Sequence, residues 1–245
     1  MTNTFRDLYN LLMRTIENLY NWNNVYFQAR SPHVLSNVGR HPRILEVGGG
    51  DRILWTTRLS ERGETVTVIE LEYHKALTAS RLAKRPHTKL TNVSWVVADA
   101  TELPLKKSSF DMALCIDVIE HVPDDIGLLA QIRRVLRIEG LAIVTTMNKN
   151  RRHYWKPLIF DNHVREYSFE ELASKAKEAG LAVQSSFDFY KPLTTIAREI
   201  QLFVLPRSRL PLANLFLNLP LGVLAAVGER SKKLGGGIGY IFGRE

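Results

Sequence analysis

Three consecutive glycines, Gly48 to Gly50, follow a short apolar run and precede a helical pattern. Glycine at such a turn lets the backbone approach a ligand that a Cβ atom would exclude. In an open parallel sheet, ligands bind beyond the carboxyl ends of the strands. A glycine triplet alone is weak evidence, because a tight strand-to-helix turn without a ligand uses the same residues. The glycines therefore predict a site only where neighbouring strand ends supply matching groups.

Carboxylates supply such groups at the ends of the next three apolar runs. Glu70 follows the glycines by about twenty residues, where a carboxylate can accept hydrogen bonds from both ribose hydroxyls. Asp99 ends the third run, placed to receive the amino group of an adenine, and Asp117 ends the fourth. Each alone is more often a helix cap or a turn residue. Because these strand ends converge on one cleft, together they predict a site for a nucleoside derivative.

Alternating strands and helices must position these residues. The β-branched runs lie at 43–47, 65–70, 93–99, 110–117 and 141–147, with further strands predicted at 181–190 and 238–245. Helical patterns lie between them at 52–62, 72–84 and 124–138, and Ser168 with Glu171 forms a capping-box start to another helix that stops at Gly180. Helices between strands indicate a parallel sheet covered on both faces. We therefore predict an α/β fold with a seven-stranded, mostly parallel sheet.

Two helical segments are predicted outside this core. Residues 1–40 form an N-terminal segment, helical from about Phe5 to Gln28 and loop-like between Ser31-Pro32 and His41-Pro42. Residues 191–234 form an apolar and basic helical insertion or lid, too short and too broken by Pro and Asn for a membrane span. The ligand-binding domain then comprises 41–190 and 235–245.

Composition bounds the class of protein. The 245 residues suffice for one α/β domain with a helical addition, and the net charge is +8. Residues 191–245 carry +5 of that charge and are also the most apolar part, a pattern that does not favour a nucleic-acid partner. The single cysteine, Cys115, lies in an apolar run and is interpreted as a buried thiol in a reducing compartment. No export signal and no Cys/His cluster with zinc spacing is present, so we predict a cytoplasmic protein without a metal.

A resemblance to the class I S-adenosylmethionine methyltransferases is carried by the segments ILEVGGG, VIELE, VVADATELPLKKSSFDMALCIDVIEHVPD and LRIEGLAIVTT. It is similar in particular to the small-molecule group that includes ubiquinone/menaquinone-type enzymes. The segments cover about residues 40–190 in the right order and spacing. The resemblance implies a Rossmann-like fold, S-adenosyl-L-methionine as cofactor and a small-molecule methyl acceptor.

The first motif of that family matches the glycine turn. The resemblance places Glu46, Gly48, Gly49 and Gly50 near the methionine part of the cofactor. The motif usually ends in another glycine, and this sequence has Arg52 there. A long side chain at that position either crowds the helix start or turns outward, which leaves open a non-catalytic homologue with a degenerate site. A nicotinamide-binding dehydrogenase is disfavoured, since its motif needs glycine where Ile53 stands.

The other strand ends match further cofactor contacts of the family. The resemblance gives Glu70 the ribose hydroxyls, with Leu71 beside the adenine. Asp99 and Ala100 match the contact with the adenine edge. Asp117 lies where the fourth strand lines the methionine and methyl end.

No catalytic residue is assigned, because transfer of an activated methyl group rests largely on positioning. His121 is interpreted as a structural or cofactor-side residue in preference to a catalytic base. His163 and Arg165 lie on the substrate side of such folds. A neighbouring group could neutralise an anionic substrate or form a solvated loop: Arg151, Arg152, His153 and Lys156.

The insertion 191–234 is the main indication of the substrate. Apolar helices flanked by basic residues suit contact with an anionic membrane surface, which favours a lipophilic acceptor and a location at the inner face of the membrane. Packing on the core or an interface between copies remains an alternative, and the oligomeric state is open. An RNA or protein methyltransferase with the same core is the rival function.

Overall fold

The computed structural model describes residues 25–151, 163–204, 220–231 and 235–244, with the exception of Gly222. Within these ranges the helices are α1 (Val25–Asn37), α2 (Leu54–Ser60), α3 (Tyr73–Ala83), α4 (Asp125–Val135), α5 (Phe169–Glu178) and α6 (Pro192–Val204), with a short 3-10 helix at Ile119–His121. The strands are β1 (His41–Val47), β2 (Gly63–Glu70), β3 (Val93–Val97), β4 (Phe110–Ile116), β5 (Leu136–Met147), β6 (Leu181–Phe189) and β7 (Gly237–Arg244).

The strands form one seven-stranded sheet in the order β3-β2-β1-β4-β5-β7-β6. All neighbours are parallel except β7, which is antiparallel to both β5 and β6. The predicted α/β fold is confirmed. The chain order reverses between β1 and β4, so the crevice for a ligand opens beyond the carboxyl ends of these two strands.

Alternate residues of the central strands point to opposite faces of the sheet, which explains their continuous apolarity. On one face Leu45 and Cys115 pack with residues of α4 and α5. On the other face Ile44 and Leu114 pack with α2 and with Val34 of α1. Both faces are therefore covered, and α1 belongs to the same core as the sheet.

Two local expectations were wrong. Residues 31–37, expected as loop, continue α1 through Pro32. The burial of Val34 and Val38 against the sheet outweighs the hydrogen bond that proline removes. Residues 136–138, expected as helix, begin β5, because Leu136 pairs with Phe110 and this tertiary pairing overrides the helical pattern.

The capping box of α5 is confirmed. The Ser168 hydroxyl accepts from the Glu171 backbone, and the Glu171 side chain accepts from the Ser168 backbone. Gly180 ends the segment with a φ of +78°.

Most of the helix predicted near the N-terminus, residues 5–24, lies outside the described residues, as does 205–219 of the insertion. No helix among the residues that the structure describes is both long and apolar enough to cross a membrane.

Candidate functional site

The glycine turn leaves β1 with a geometry that side chains would obstruct. Gly48 and Gly50 have φ values of +78° and +65°, a region that favours glycine. A Cβ at Gly48 would lie 2.3 Å from a methyl carbon of Val118, and one at Gly49 would lie equally close to Val68. A Cβ at Gly50 would meet no described atom within 4 Å. The turn therefore packs tightly against the sheet on one side and borders open space on the other.

Glu70 is the group that the structure brings directly to this turn. The backbone N–H of Gly50 donates to Glu70 Oε2 at 2.7 Å, and the N–H of Glu72 donates to Oε1 at 3.0 Å. The side chain is largely buried. Each carboxylate oxygen has a second lone pair, so both can accept a further hydrogen bond from a ligand. The glycine turn and Glu70, which lie about twenty residues apart in the sequence, are thus joined by a hydrogen bond.

Glu46 lies in β1 just before the turn and is nearly inaccessible to solvent. The Thr56 hydroxyl, from α2, donates to Glu46 Oε2 at 2.6 Å. Burial raises the pKa of Glu46 to about 7, and the hydrogen bond from Thr56 only partly offsets this. A carboxyl group held in this way is ready to ionise when a cation binds next to it.

The ends of β2 and β3 lie side by side, since the N–H of Ala98 donates to the carbonyl oxygen of Glu70 at 3.1 Å. Beyond them Asp99 accepts from the backbone and the hydroxyl of Thr101 at 2.8 and 2.7 Å, and these bonds lower the pKa of Asp99. Ala100 is half-buried beside it, and Leu71 is 65% exposed. Leu71 thus exposes an apolar surface just beyond β2, and Asp99 provides a hydrogen-bond acceptor just beyond the neighbouring strand β3.

Asp117 follows β4 with a φ of +52°, which is uncommon for a residue other than glycine. Its N–H donates to the carbonyl of Thr145 at 3.0 Å, and the Thr145 hydroxyl donates to Asp117 Oδ1 at 3.2 Å. The other oxygen, Oδ2, forms an ion pair with Arg30. Strained backbone of this kind persists where the surrounding structure holds it. Asp117 is therefore fixed at the β1/β4 crevice.

Arg30 is a residue of the site that the sequence reasoning missed. It is buried, and its guanidinium carbon lies 5.7 and 5.8 Å from the ring centroids of Phe189 and Tyr190. The helical spacing of Phe27, Val34 and Val38 would have predicted a helix that brings it here, but Pro32 suggested a loop. Helix α1 thereby reaches the crevice from the segment that precedes the sheet.

Arg52, where the family has glycine, is exposed. Its side chain therefore does not crowd the start of α2. Of the other sequence candidates, Arg165 forms an ion pair with Asp125 at 2.6 Å and donates to the carbonyl of Pro123, also at 2.6 Å. Arg151 pairs with Glu166. The remaining candidates Arg152, His153 and Lys156 lie outside the described residues.

A second polar cluster lies close to Asp117. The 3-10 helix carries Glu120, which is fully buried, and His121. Burial, and then the neighbouring charge of Asp117, raise the pKa of Glu120. The ring of His163 meets that of His121 edge to face, with centroids 5.0 Å apart. His163 thus lies beside His121 and close to the carboxyl group of Glu120, a residue that the sequence reasoning did not single out.

Comparison with known proteins gives a family match. Residues 45–144 match the model of a family described as a methyltransferase domain. The chain is 30% identical over 186 residues to a ubiquinone biosynthesis O-methyltransferase of Nitrosospira multiformis, which covers 68% of this chain and 76% of that protein. The corresponding protein of Thiobacillus denitrificans is 29% identical over 171 residues, covering 64% of this chain and 72% of its own length.

A solved structure shares the fold along nearly the whole chain. It is an S-adenosylmethionine-dependent methyltransferase of Thermotoga maritima, with a TM-score of 0.64 and 17% identity. The alignment covers 98% of this chain and 99% of that one. At this identity the likeness supports the fold alone.

Proposed function

This chain belongs to the class I S-adenosylmethionine-dependent methyltransferases, and we propose that it methylates a hydroxyl oxygen of a small lipophilic molecule. When bound, S-adenosylmethionine supplies a methyl carbon activated by its sulfonium. The residues of the chain must then bind the cofactor, orient the acceptor and exclude water. The hydrogen bond between the N–H of Gly50 and Glu70 is the observation that carries the proposal, because it joins the glycine turn and the ribose-binding acid in one site.

We propose that residues at the ends of different strands bind different parts of the cofactor. Glu70 accepts the ribose hydroxyls with its remaining lone pairs, and Leu71 lies against the adenine. Asp99 and Ala100 face the edge of the base.

The glycine turn and β4 serve the other end of the cofactor. The space beside Gly50 lets the cofactor lie directly against the backbone of the turn. Gly48 and Gly49 pack the other side of the turn against the sheet. Glu46 and Asp117 place negative charge near the cationic methionine part.

The choice of an oxygen acceptor rests on the relatives. Two of them are named ubiquinone biosynthesis O-methyltransferases, and identities of 29% and 30% over the aligned residues support the reaction type better than the substrate. The lipophilic character of the acceptor likewise rests on the printed names of these relatives, since ubiquinone is a lipophilic quinone. Contact with an anionic membrane stays a prediction, because the central part of the segment that suggested it, residues 205–219, lies outside the described residues.

The cofactor site is tested by calorimetry with S-adenosylhomocysteine. Glu70→Gln keeps the shape of the side chain but removes its charge. The lost charge-assisted hydrogen bonds are worth about 1.5–3 kcal/mol, so we expect affinity to fall by about 10- to 100-fold. Glu64→Gln, at an exposed position of the same strand, is the matched control and should bind as the wild type does. Equal affinity of all three proteins would contradict the assignment of Glu70.

The acceptor is tested with labelled S-adenosylmethionine and a panel of phenols that differ only in alkyl chain length. We expect methyl ethers to form, with kcat/KM rising as the chain lengthens. A rate independent of the chain would refute a lipophilic acceptor. Label that appears only in RNA or protein would instead favour the rival function with the same core.

A further inference from the structure

An open cavity of about 690 Å³ lies at the edge of the sheet where the parallel strands begin. Its lining comes from the starts of β1, β4 and β5 and from the loop that leads into β4. The cofactor crevice lies beyond the opposite ends of these strands, roughly 20 Å away, since β1 has seven residues with a rise of about 3.3 Å each. Sites for small organic ligands have volumes of about 300–1,000 Å³. The cavity therefore has the size of a second ligand site, separate from the crevice.

A bulge in β5 forms one wall of this cavity. Four residues of β5, Arg137 to Gly140, lie opposite the single residue Asp111 of β4. Bulges occur often beside functional sites, because the extra residues re-aim side chains. Here the bulge places Ile138 at the cavity with 81% of its surface exposed. The bulge thus presents an apolar side chain that the apolar part of a ligand can cover.

Two arginine residues converge on Asp111, which also lines the cavity. Arg137 Nη1 donates to Asp111 Oδ1 at 2.9 Å. Asp111 Oδ2 accepts from the backbone N–H of Arg43 at 3.0 Å and lies 3.6 Å from Arg43 Nε. One carboxylate balances only one of the two guanidinium charges. About half of the Arg137 side chain is exposed, and a guanidinium has five N–H donors, so Arg137 can also donate to a ligand.

The loop before β4 forms another wall and is held in place by hydrogen bonds. The N–H of Ser108 donates to the carbonyl oxygen of Arg134 at 3.0 Å, and the φ of Ser108 is +51°. Residues other than glycine keep such a φ where the surrounding structure holds them, often at functional sites. Arg244 Nη1, from the end of β7, donates to Ser108 Oγ at 2.7 Å. The loop therefore fixes a third guanidinium group next to the cavity.

We propose that this cavity binds a small organic phosphate. Two carboxylates belong to its lining, those of Asp111 and Glu139. Five cationic side chains line it, contact its lining residues or directly precede them in the sequence: Arg43, Arg137, Arg244, Lys106 and Lys107. A phosphate monoester carries about 1.5–2 negative charges at pH 7, which suits this surplus, and it accepts paired N–H groups from a guanidinium. Because the cavity is remote from the crevice, its ligand is neither the cofactor nor the methyl acceptor.

Binding is measured by calorimetry on the full chain at constant ionic strength, with phenyl phosphate as the probe. Inorganic phosphate and benzoate are the comparison ligands, one without the apolar part and one with a single charge. Arg137→Met removes a guanidinium from the cavity, and Ile138→Ser removes the apolar contact. Arg81→Met is the matched control, since Arg81 is an exposed arginine of α3. Calorimetry with S-adenosylhomocysteine on the same samples shows whether each variant is folded.

We expect the wild type and Arg81→Met to bind one phenyl phosphate with equal affinity, and more tightly than either comparison ligand. Arg137→Met should weaken this binding by about 10-fold or more, because a charge-assisted hydrogen bond is lost. Ile138→Ser should weaken binding of phenyl phosphate by about fivefold and leave that of inorganic phosphate unchanged. If Arg137→Met fails to fold, Ile138→Ser decides the question.

Three results would overturn the proposal. The first is that the wild type does not bind phenyl phosphate at millimolar concentration. The second is that both cavity variants bind it as tightly as the wild type does. The third is that saturating S-adenosylhomocysteine displaces it, which would place the probe in the crevice. Failure of the wild type to bind S-adenosylhomocysteine would contradict the cofactor proposal and leave this one standing.

Discussion

Replacing Glu46 by glutamine should remove the pH dependence of stability that this carboxyl group gives to the protein. Burial raises its pKa from an ordinary 4.5 to about 7 in the folded chain. Between these two values the folded chain holds a proton that the unfolded chain has released. The free energy of unfolding therefore falls as pH rises through this window, by about 1.4 kcal/mol per pH unit for this group. The full effect is about 3 kcal/mol.

Urea unfolding of the wild type and of Glu46→Gln, from about pH 5 to about pH 8, measures this effect. Because glutamine carries no charge at any pH, the variant should gain on the wild type as pH rises, by up to about 3 kcal/mol at about pH 8. Glu64→Gln, at an exposed position, controls for the change of net charge. A constant difference between wild type and Glu46→Gln across this range would refute the reasoning.

Cofactor binding should show the opposite trend if Glu46 faces the ammonium of the methionine part. The ionised carboxylate is the binding form, and with a pKa of about 7 its population rises about tenfold between about pH 6 and about pH 8. The apparent Kd of S-adenosylhomocysteine should fall by about the same factor. Calorimetry in buffers of different ionisation enthalpy should also detect a released proton. A Kd that changes equally in Glu46→Gln would show that the titrating group is another one.

Three further outcomes are expected. Gly48→Ala should lower the free energy of unfolding in urea by more than about 2 kcal/mol, because of its positive φ and the overlap with a methyl group of Val118. Gly50→Ala, which has the positive φ but no overlap, should lower it by only about 1 kcal/mol. Equal losses would contradict the packing argument. Arg30→Met should cost about 3 kcal/mol because Asp117 loses its ion-pair partner, and the cost should shrink in a background that already carries Asp117→Asn; an unchanged cost there would refute the pairing. Cys115 is buried, which raises its pKa, so a disulfide reagent should leave the native protein unmodified and react fully in urea; rapid reaction of the native protein would contradict that burial.

Local pattern was sufficient for most of the sheet. Each predicted strand was apolar enough to be buried on both faces of the sheet. The helices predicted between successive strands indicated crossover connections, which join parallel strands. Gly48 and Glu70 could be assigned to one edge because parallel strands end on the same side. Expectation failed at Pro32 and at Leu136, where a contact with a distant strand outweighs the local preference. A single sequence without such contacts has no means of weighing them.

The α/β fold, the glycine turn and the carboxylates at the strand ends could be predicted from the sequence, since they depend on periodicity and on residues that are near one another along the chain. The ion pair of Arg30 with Asp117, and the position of His163 beside Glu120 and His121, could be seen only in the folded chain. The physical reason is that a buried charge selects its partner by proximity in space, and proximity between separate elements is set by how the whole core packs.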